Sequence, residues 1–108
     1  MDLEFSYDKQ GFRKVETSIG HEVLGWFLEQ DIQGCIEDCE ELLQTCDKIE
    51  KGVSDSWKGT GNAHTIIVTK DNVTIVTEFA IPETSCSISL QEFQMAIKKW
   101  QDFISRES

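Results

Sequence analysis

His21 stands beside Glu22 and could form an acid–base pair, because an imidazole titrates near neutrality and a carboxylate can orient it. Neighbours in sequence need not point together, and no motif sets a serine or cysteine nucleophile next to them. A histidine bonded to backbone at a turn accounts for the pair better. Cys35, Cys39 and Cys46 fall in one predicted helix, where residues i and i+4 point along the axis and bridge poorly. No flanking cation lowers their pKa, which argues against thiol catalysis. With Cys86 they are expected to be free thiols in a reducing compartment. Zinc is disfavoured, because there is no CxxC pair and the two histidines, His21 and His64, are remote in sequence. Lys58-Gly59-Thr60-Gly61 has the glycines of a phosphate loop, but such a loop follows a strand and opens a helix. Here a strand pattern follows, in acidic surroundings. No catalytic residue, metal or cofactor is therefore assigned.

What remains is charge and one aromatic. From Glu29 to Glu50 the chain holds eight acids and one base, Lys48. Glu37, Asp38, Glu40 and Glu41 are so close in sequence that some must crowd on one surface and oppose folding by mutual repulsion. They lie too much alike to be a paired acid and base. They are either a solvated helix face or a face for a basic partner. Trp57 is a large aromatic in polar company. It either anchors a partner, as tryptophan often does at the centre of an interface, or folds back over a sheet edge. The candidate partner-binding residues are Glu37, Asp38, Glu40, Glu41, Asp55 and Trp57.

Composition supports a role in binding. The 108 residues suit one domain, 1–108, and 39% hydrophobic content can build one modest core. Twenty acidic residues against ten basic give a net charge of −10, which disfavours nucleic acid and anionic membranes as partners and favours a basic protein. No run is long enough to span a membrane. The opening MDLEFSYDKQ lacks the regions of a signal peptide, so a cytoplasmic protein is expected, monomeric when free.

Around these residues the hydrophobic pattern places the elements. Leu3, Phe5 and Tyr7 alternate with polar residues, Asp8 to Gly11 is a turn, and Phe12 to Ile19 alternates again, which makes a first hairpin. Gly20 to Gln30 is open: its apolar density suits a strand or an irregular bend, and Gly25 weakens a helix. From Asp31 to Lys51, apolar residues recur every three or four positions in an amphipathic helix that stops at Gly52. Val53 to Asn62 reads as a loop. Thr65 to Thr69 and Val73 to Thr77 read as a second hairpin. A two-residue turn at Asp71-Asn72 would set Val68 opposite Ile75, Ile66 opposite Thr77 and His64 opposite Phe79. Ile81 to Ser87 reads as a linker with the only proline. A last helix opens at Ser89 and Glu92, which have the spacing of a capping box, and should cover the second hairpin by packing Phe93, Ile97 and Trp100 on Ile75 and Phe79. The expected fold is α+β: a mostly antiparallel four-stranded sheet with two packed helices, in the order ββ-α-ββ-α.

The N-terminal Met1-Asp2 and Glu4-Phe5, followed by Asp8, Gly11, Val15, Ser18, Gly20-His21-Glu22-Val23, Gly25 and Phe27, resemble the YacL-like family of small bacterial cytosolic proteins. Ser56-Trp57, Gly61, His64-Thr65, Glu92-Phe93 and Phe103 extend the resemblance over most of the chain. The cysteines of the long helix depart from it. The resemblance implies a fold class and no activity, so no catalytic residue is carried over. In size and acidity the chain also resembles the immunity proteins of contact-dependent growth inhibition. That likeness implies a protein that neutralises a basic nuclease toxin, an RNase or DNase, by covering its active site with carboxylates where phosphates would lie. The alternative is a housekeeping protein of the YacL-like family with a protein-binding role.

Overall fold

The alternation at the N-terminus folds as expected. In the computed structural model, which describes residues 1–78 and 84–107, β1 (Leu3–Tyr7) pairs antiparallel with β2 (Arg13–Thr17). Their turn is held by Asp8, whose carboxylate accepts from the N–H groups of Gln10 and Phe12, both at 2.9 Å. Gly11 there takes φ +87°, a conformation open to glycine and strained for other residues.

The expected single sheet does not form. The described residues hold six strands and three helices, and the strands make two separate sheets, β1-β2 and a four-stranded antiparallel meander. The reason lies at the outer edge of β2. Gly20 to Gln30 is neither strand nor bend: Glu22–Phe27 is helix α1, and Leu28–Ile32 continues it as a π-helical turn. Gly25 lets α1 press onto β2, since a Cβ there would stand 3.2 Å from Thr17 Cγ2 and 3.4 Å from Val15 Cγ1. Glu29 then accepts the Val15 N–H at 2.7 Å. The edge that should have met the second hairpin is thereby occupied.

The meander runs β3 (Ser56–Thr60), β4 (His64–Thr69), β5 (Val73–Thr77) and β6 (Thr84–Ile88). β3 falls within the stretch the sequence predicts as a loop, and β6 overlaps the predicted linker. Ser56–Thr60 has polar residues and a glycine, poor strand formers alone, but the β-branched edge of β4 templates it. Residues 79–83, with Phe79 and Pro82, lie outside the described residues. The central turn also differs: Thr69 N–H bonds to the Asn72 carbonyl at 2.9 Å, so the turn is Lys70-Asp71. Val68 therefore opposes Val73, Ile66 opposes Ile75 and His64 opposes Thr77. The shift is two residues, which keeps every side chain on its expected face.

That face, with Ile66, Val68, Val73, Ile75, Cys86 and Ile88 all buried, carries the helices. α1 lies against β5 and β6, and α2 (Ile36–Glu50) touches β4. The long helix begins five residues later than expected, because Gln33 turns the chain at φ +55° and Cys35 becomes the N-cap. It ends as expected at Gly52, φ +80°. α3 (Leu90–Ser105) has its capping box, with Ser89 and Glu92 exchanging hydrogen bonds of 3.0 and 3.1 Å. It packs on α2 and β1, so α1 takes the covering place expected of α3 on β5. Ile75, Phe93, Ile97 and Trp100 are nonetheless fully buried in one core. Trp100 donates its indole N–H to the Gln33 carbonyl at 2.8 Å, and Phe5 meets its ring edge-on at 5.2 Å. No helix among the described residues is long and apolar enough to cross a membrane.

Candidate functional site

Between α2 and the edge strand β3 lies a cleft of about 470 Å³. Phe27, Ile32, Leu42 and Ile66 belong to its apolar lining. One wall is α2, which offers Asp38, Glu41, Thr45 and Lys48 at helical spacing, and so on one face. The other wall is Trp57, Gly59, Thr60 and Gly61.

Trp57 is placed by pairing. It opposes the buried Val68, so it points to the helix side of the sheet. Its ring lies across Gly59, where a Cβ would overlap Trp57 Cη2. Trp57 thus folds back over the strand and still stays 37% exposed at the cleft mouth. Of the residues singled out in the sequence, Asp38, Glu41 and Trp57 line the cleft together. Glu37, Glu40 and Asp55 are exposed outside that lining. Among the described residues, neither Asp38 nor Glu41 forms an ion pair.

The sequence did not reveal Asp31 as a structural residue. It closes the Gly61 end of the cleft, and its side chain is only 4% exposed. Its carboxylate accepts from the Ala63 N–H at 3.2 Å, from the His64 N–H at 3.1 Å, and meets His64 Nδ1 at 3.1 Å. Gly61 has no room for a side chain, since a Cβ would sit 2.5 Å from Asp31 Oδ2. The Asp–His geometry has the form of a catalytic dyad. However, the His64 ring is fully buried, with Phe27 edge-on at 6.1 Å, and Nε2 has no partner among the described residues. The ring is closed to solvent, and the pair fastens the π-helical turn to β4. The glycines of Lys58-Gly59-Thr60-Gly61 are the available signal, which the sequence offers only as a rejected phosphate loop.

The other reactive groups are dispersed. Glu22 turns back, and bonds from its own backbone N–H and from the Gly20 N–H, the latter at 3.0 Å, hold its carboxyl below the usual carboxylate range. All four cysteines are free. Burial pushes the thiols of Cys39 and Cys46 up to about 11, which keeps them protonated and unreactive near neutral pH. Among the described residues, no three His, Cys, Asp or Glu side chains are grouped to hold a metal.

Comparison with known proteins gives a family. A family model described as "Uncharacterised protein family (UPF0231)" matches residues 1–92. The UPF0231 proteins of Yersinia pestis and Yersinia pseudotuberculosis are each 24% identical over 120 aligned positions, covering 98% of this chain and all of theirs. That of Cronobacter sakazakii is 25% identical, covering 98% of each chain. No solved structure matches the chain.

Proposed function

The chain belongs to the UPF0231, or YacL-like, family of small bacterial proteins, and from that premise we propose that it is a binding protein for a basic protein partner. One observation carries the proposal: α2 brings Asp38 and Glu41, neither ion-paired among the described residues, to the same cleft as the half-exposed Trp57. Carboxylates beside a large aromatic give steering by charge and a desolvated anchor. The net charge of −10 acts in the same direction at longer range and opposes self-association, so the free protein is a monomer. Buried free thiols suit the cytoplasm.

A narrower version makes the partner a nuclease toxin of contact-dependent growth inhibition, its active site blocked by these carboxylates. Charge complementarity favours it. Relatives that keep nearly the whole chain in Yersinia and Cronobacter support the broader role instead. The test is affinity capture from bacterial cytosol on wild-type protein and on Glu37→Lys with Glu41→Lys. A basic partner held by the wild type and lost by the variant at equal folding is expected. Equal capture by both removes the cleft from the function. A gene for a nuclease-bearing secreted protein directly upstream would select the antidote version.

A further inference from the structure

β3 is the outermost strand of its sheet and pairs, among the described residues, with β4 alone. The register fixes which of its backbone groups are used. Gly61 donates to the His64 carbonyl at 2.9 Å, so that pair is hydrogen-bonded, and along an antiparallel ladder such pairs alternate. Gly59 and Trp57 stand in the next two hydrogen-bonded positions, opposite Ile66 and Val68. Ser56, Lys58 and Thr60 take the alternate positions, so their N–H and C=O groups point away from β4. All three residues are exposed, and no backbone group among the described residues meets that edge. Such an edge is a template for another strand.

We infer that β3 receives an extended, basic segment of a partner protein as a fifth strand of this sheet. The inference rests on the binding role proposed above and gives it a geometry. A strand added at the usual ~4.8 Å sends alternate side chains to the helix side, in line with Trp57 and Gly59, and the others to the open face with Lys58. On the helix side they meet Asp38 and Glu41, which are ~4.5 Å apart along α2, a span that cations two residues apart in the segment can reach.

Polarity follows from the path of the chain. Asp38 lies near Asn62, just beyond the end of β3, whereas the Lys48 carbonyl accepts the Val53 N–H at 2.8 Å, just before its start. β3 therefore runs against α2. An antiparallel segment, the pairing used throughout this sheet, runs with α2. Its Lys or Arg residues fall in its N-terminal half beside Asp38 and Glu41, and the position beside Lys48 is neutral or acidic. A second copy of this chain is not the occupant, because two molecules of charge −10 repel and Lys58 guards the edge against self-pairing.

Random nine-residue peptides displayed on phage against the full chain test this, with enriched peptides synthesised and their Kd measured by calorimetry. Enriched sequences should carry Lys or Arg at alternate positions of the N-terminal half. N-methylation of a peptide amide that faces β3 should weaken binding at least about fivefold, and of an intervening amide less than about twofold. Lys58→Pro removes an outward N–H without touching the β4 ladder and should weaken binding about as much. If circular dichroism shows that variant unfolded, the N-methyl series decides alone. Uncharged or acidic enriched peptides, or equal tolerance of methylation at both sets of amides, overturn strand addition. If those peptides still lose affinity in Trp57→Ala or Glu41→Lys, the cleft binds in another manner and the proposed function stands. If nothing is enriched, or nothing enriched depends on the cleft, both fall.

Discussion

Two strand edges in this molecule are finished in opposite ways. The outer edge of β2 is closed: α1 presses onto it through Gly25, and Glu29 takes the Val15 N–H. The same hairpin is fastened again at the far end of the chain, where Glu107 accepts from the Tyr7 hydroxyl at 2.6 Å and pairs with Arg13 at 2.5 Å. The outer edge of β3 is open, and the carboxylates beside it, Asp38 and Glu41, form no ion pair among the described residues. One residue type thus does two jobs. Glu29, Asp31 and Glu107 are engaged with donors far away in sequence and hold the fold. Asp38 and Glu41 of α2 form no ion pair among the described residues and leave a field beside an unfinished sheet. Substitutions in the closed region should lower stability and spare binding, and those at the open edge should do the reverse.

The largest effect is expected where α3 closes the core. Phe93→Ala should cost about 3–5 kcal/mol in urea unfolding, because the ring is fully buried, with Phe27 of α1 tilted against it at 6.4 Å. A loss below about 1 kcal/mol would mean that α3 is not part of the closed region. Asp31→Ala comes next, at about 3 kcal/mol, since it strands the buried His64 ring and two backbone donors without their acceptor. It sharpens the contrast because Asp31 also lines the cleft. A variant that unfolds easily yet keeps its peptide affinity when folded would assign Asp31 to the closed region.

The Glu107 latch has a pH signature. Hydrogen bonds from Arg13 and then from Tyr7 hold the Glu107 carboxyl below the usual carboxylate range. A depressed folded pKa contributes stability that is present above the unfolded pKa and lost as pH falls through the folded one. The bond to Glu107 raises the Tyr7 phenol above its ordinary value, so its share is present below the unfolded pKa and lost as pH rises through the folded one. The Tm advantage of wild type over Glu107→Gln should therefore be flat near neutrality. It should shrink below about pH 4 and again above about pH 10. An advantage independent of pH would show that the latch is not electrostatic.

These regions were unequally legible. The closed region announced its parts locally. The Asp8–Gly11 turn, the apolar stripe of α2 and the Ser89–Glu92 box are short-range patterns, and each is in place. What joins them was not local. Nothing near Glu29 signals Val15, and nothing near Asp31 signals His64, 33 residues on. The order of strands followed from such contacts, so the single four-stranded sheet was the wrong assembly of mostly right pieces. By propensity Gly25 weakens a helix, but its lack of a Cβ is what lets the helix touch β2. Ser56–Thr60 was illegible for a related reason: its own residues do not favour a strand, and the template is on β4. The carboxylates and Trp57 were visible as types. That Asp38, Glu41 and Trp57 share a cleft depended on that unforeseen strand.

The smallest expected effect is the sharpest, because one substitution at two glutamates should change stability in opposite directions. Glu29→Ala leaves the half-buried Val15 N–H without its acceptor and should cost about 1 kcal/mol. Glu41→Ala removes a charge that stands four residues from Glu37 and three from Asp38 on α2, where like charges at those spacings oppose the helix by about 0.2–0.5 kcal/mol. Alanine is also the better helix former. Glu41 lies beyond the first turn, so little favourable interaction with the helix N-terminus is lost. Both contributions have the same sign, and Glu41→Ala should be more stable than wild type by about 0.5 kcal/mol. Urea midpoints at constant m-value measure both variants on one scale. Should Glu41→Ala lose stability as Glu29→Ala does, the α2 carboxylates are structural and the contrast between the two edges collapses. If it gains stability while basic-peptide affinity falls, the charge on α2 has been kept at a cost to the fold, as a surface meant for a partner would require.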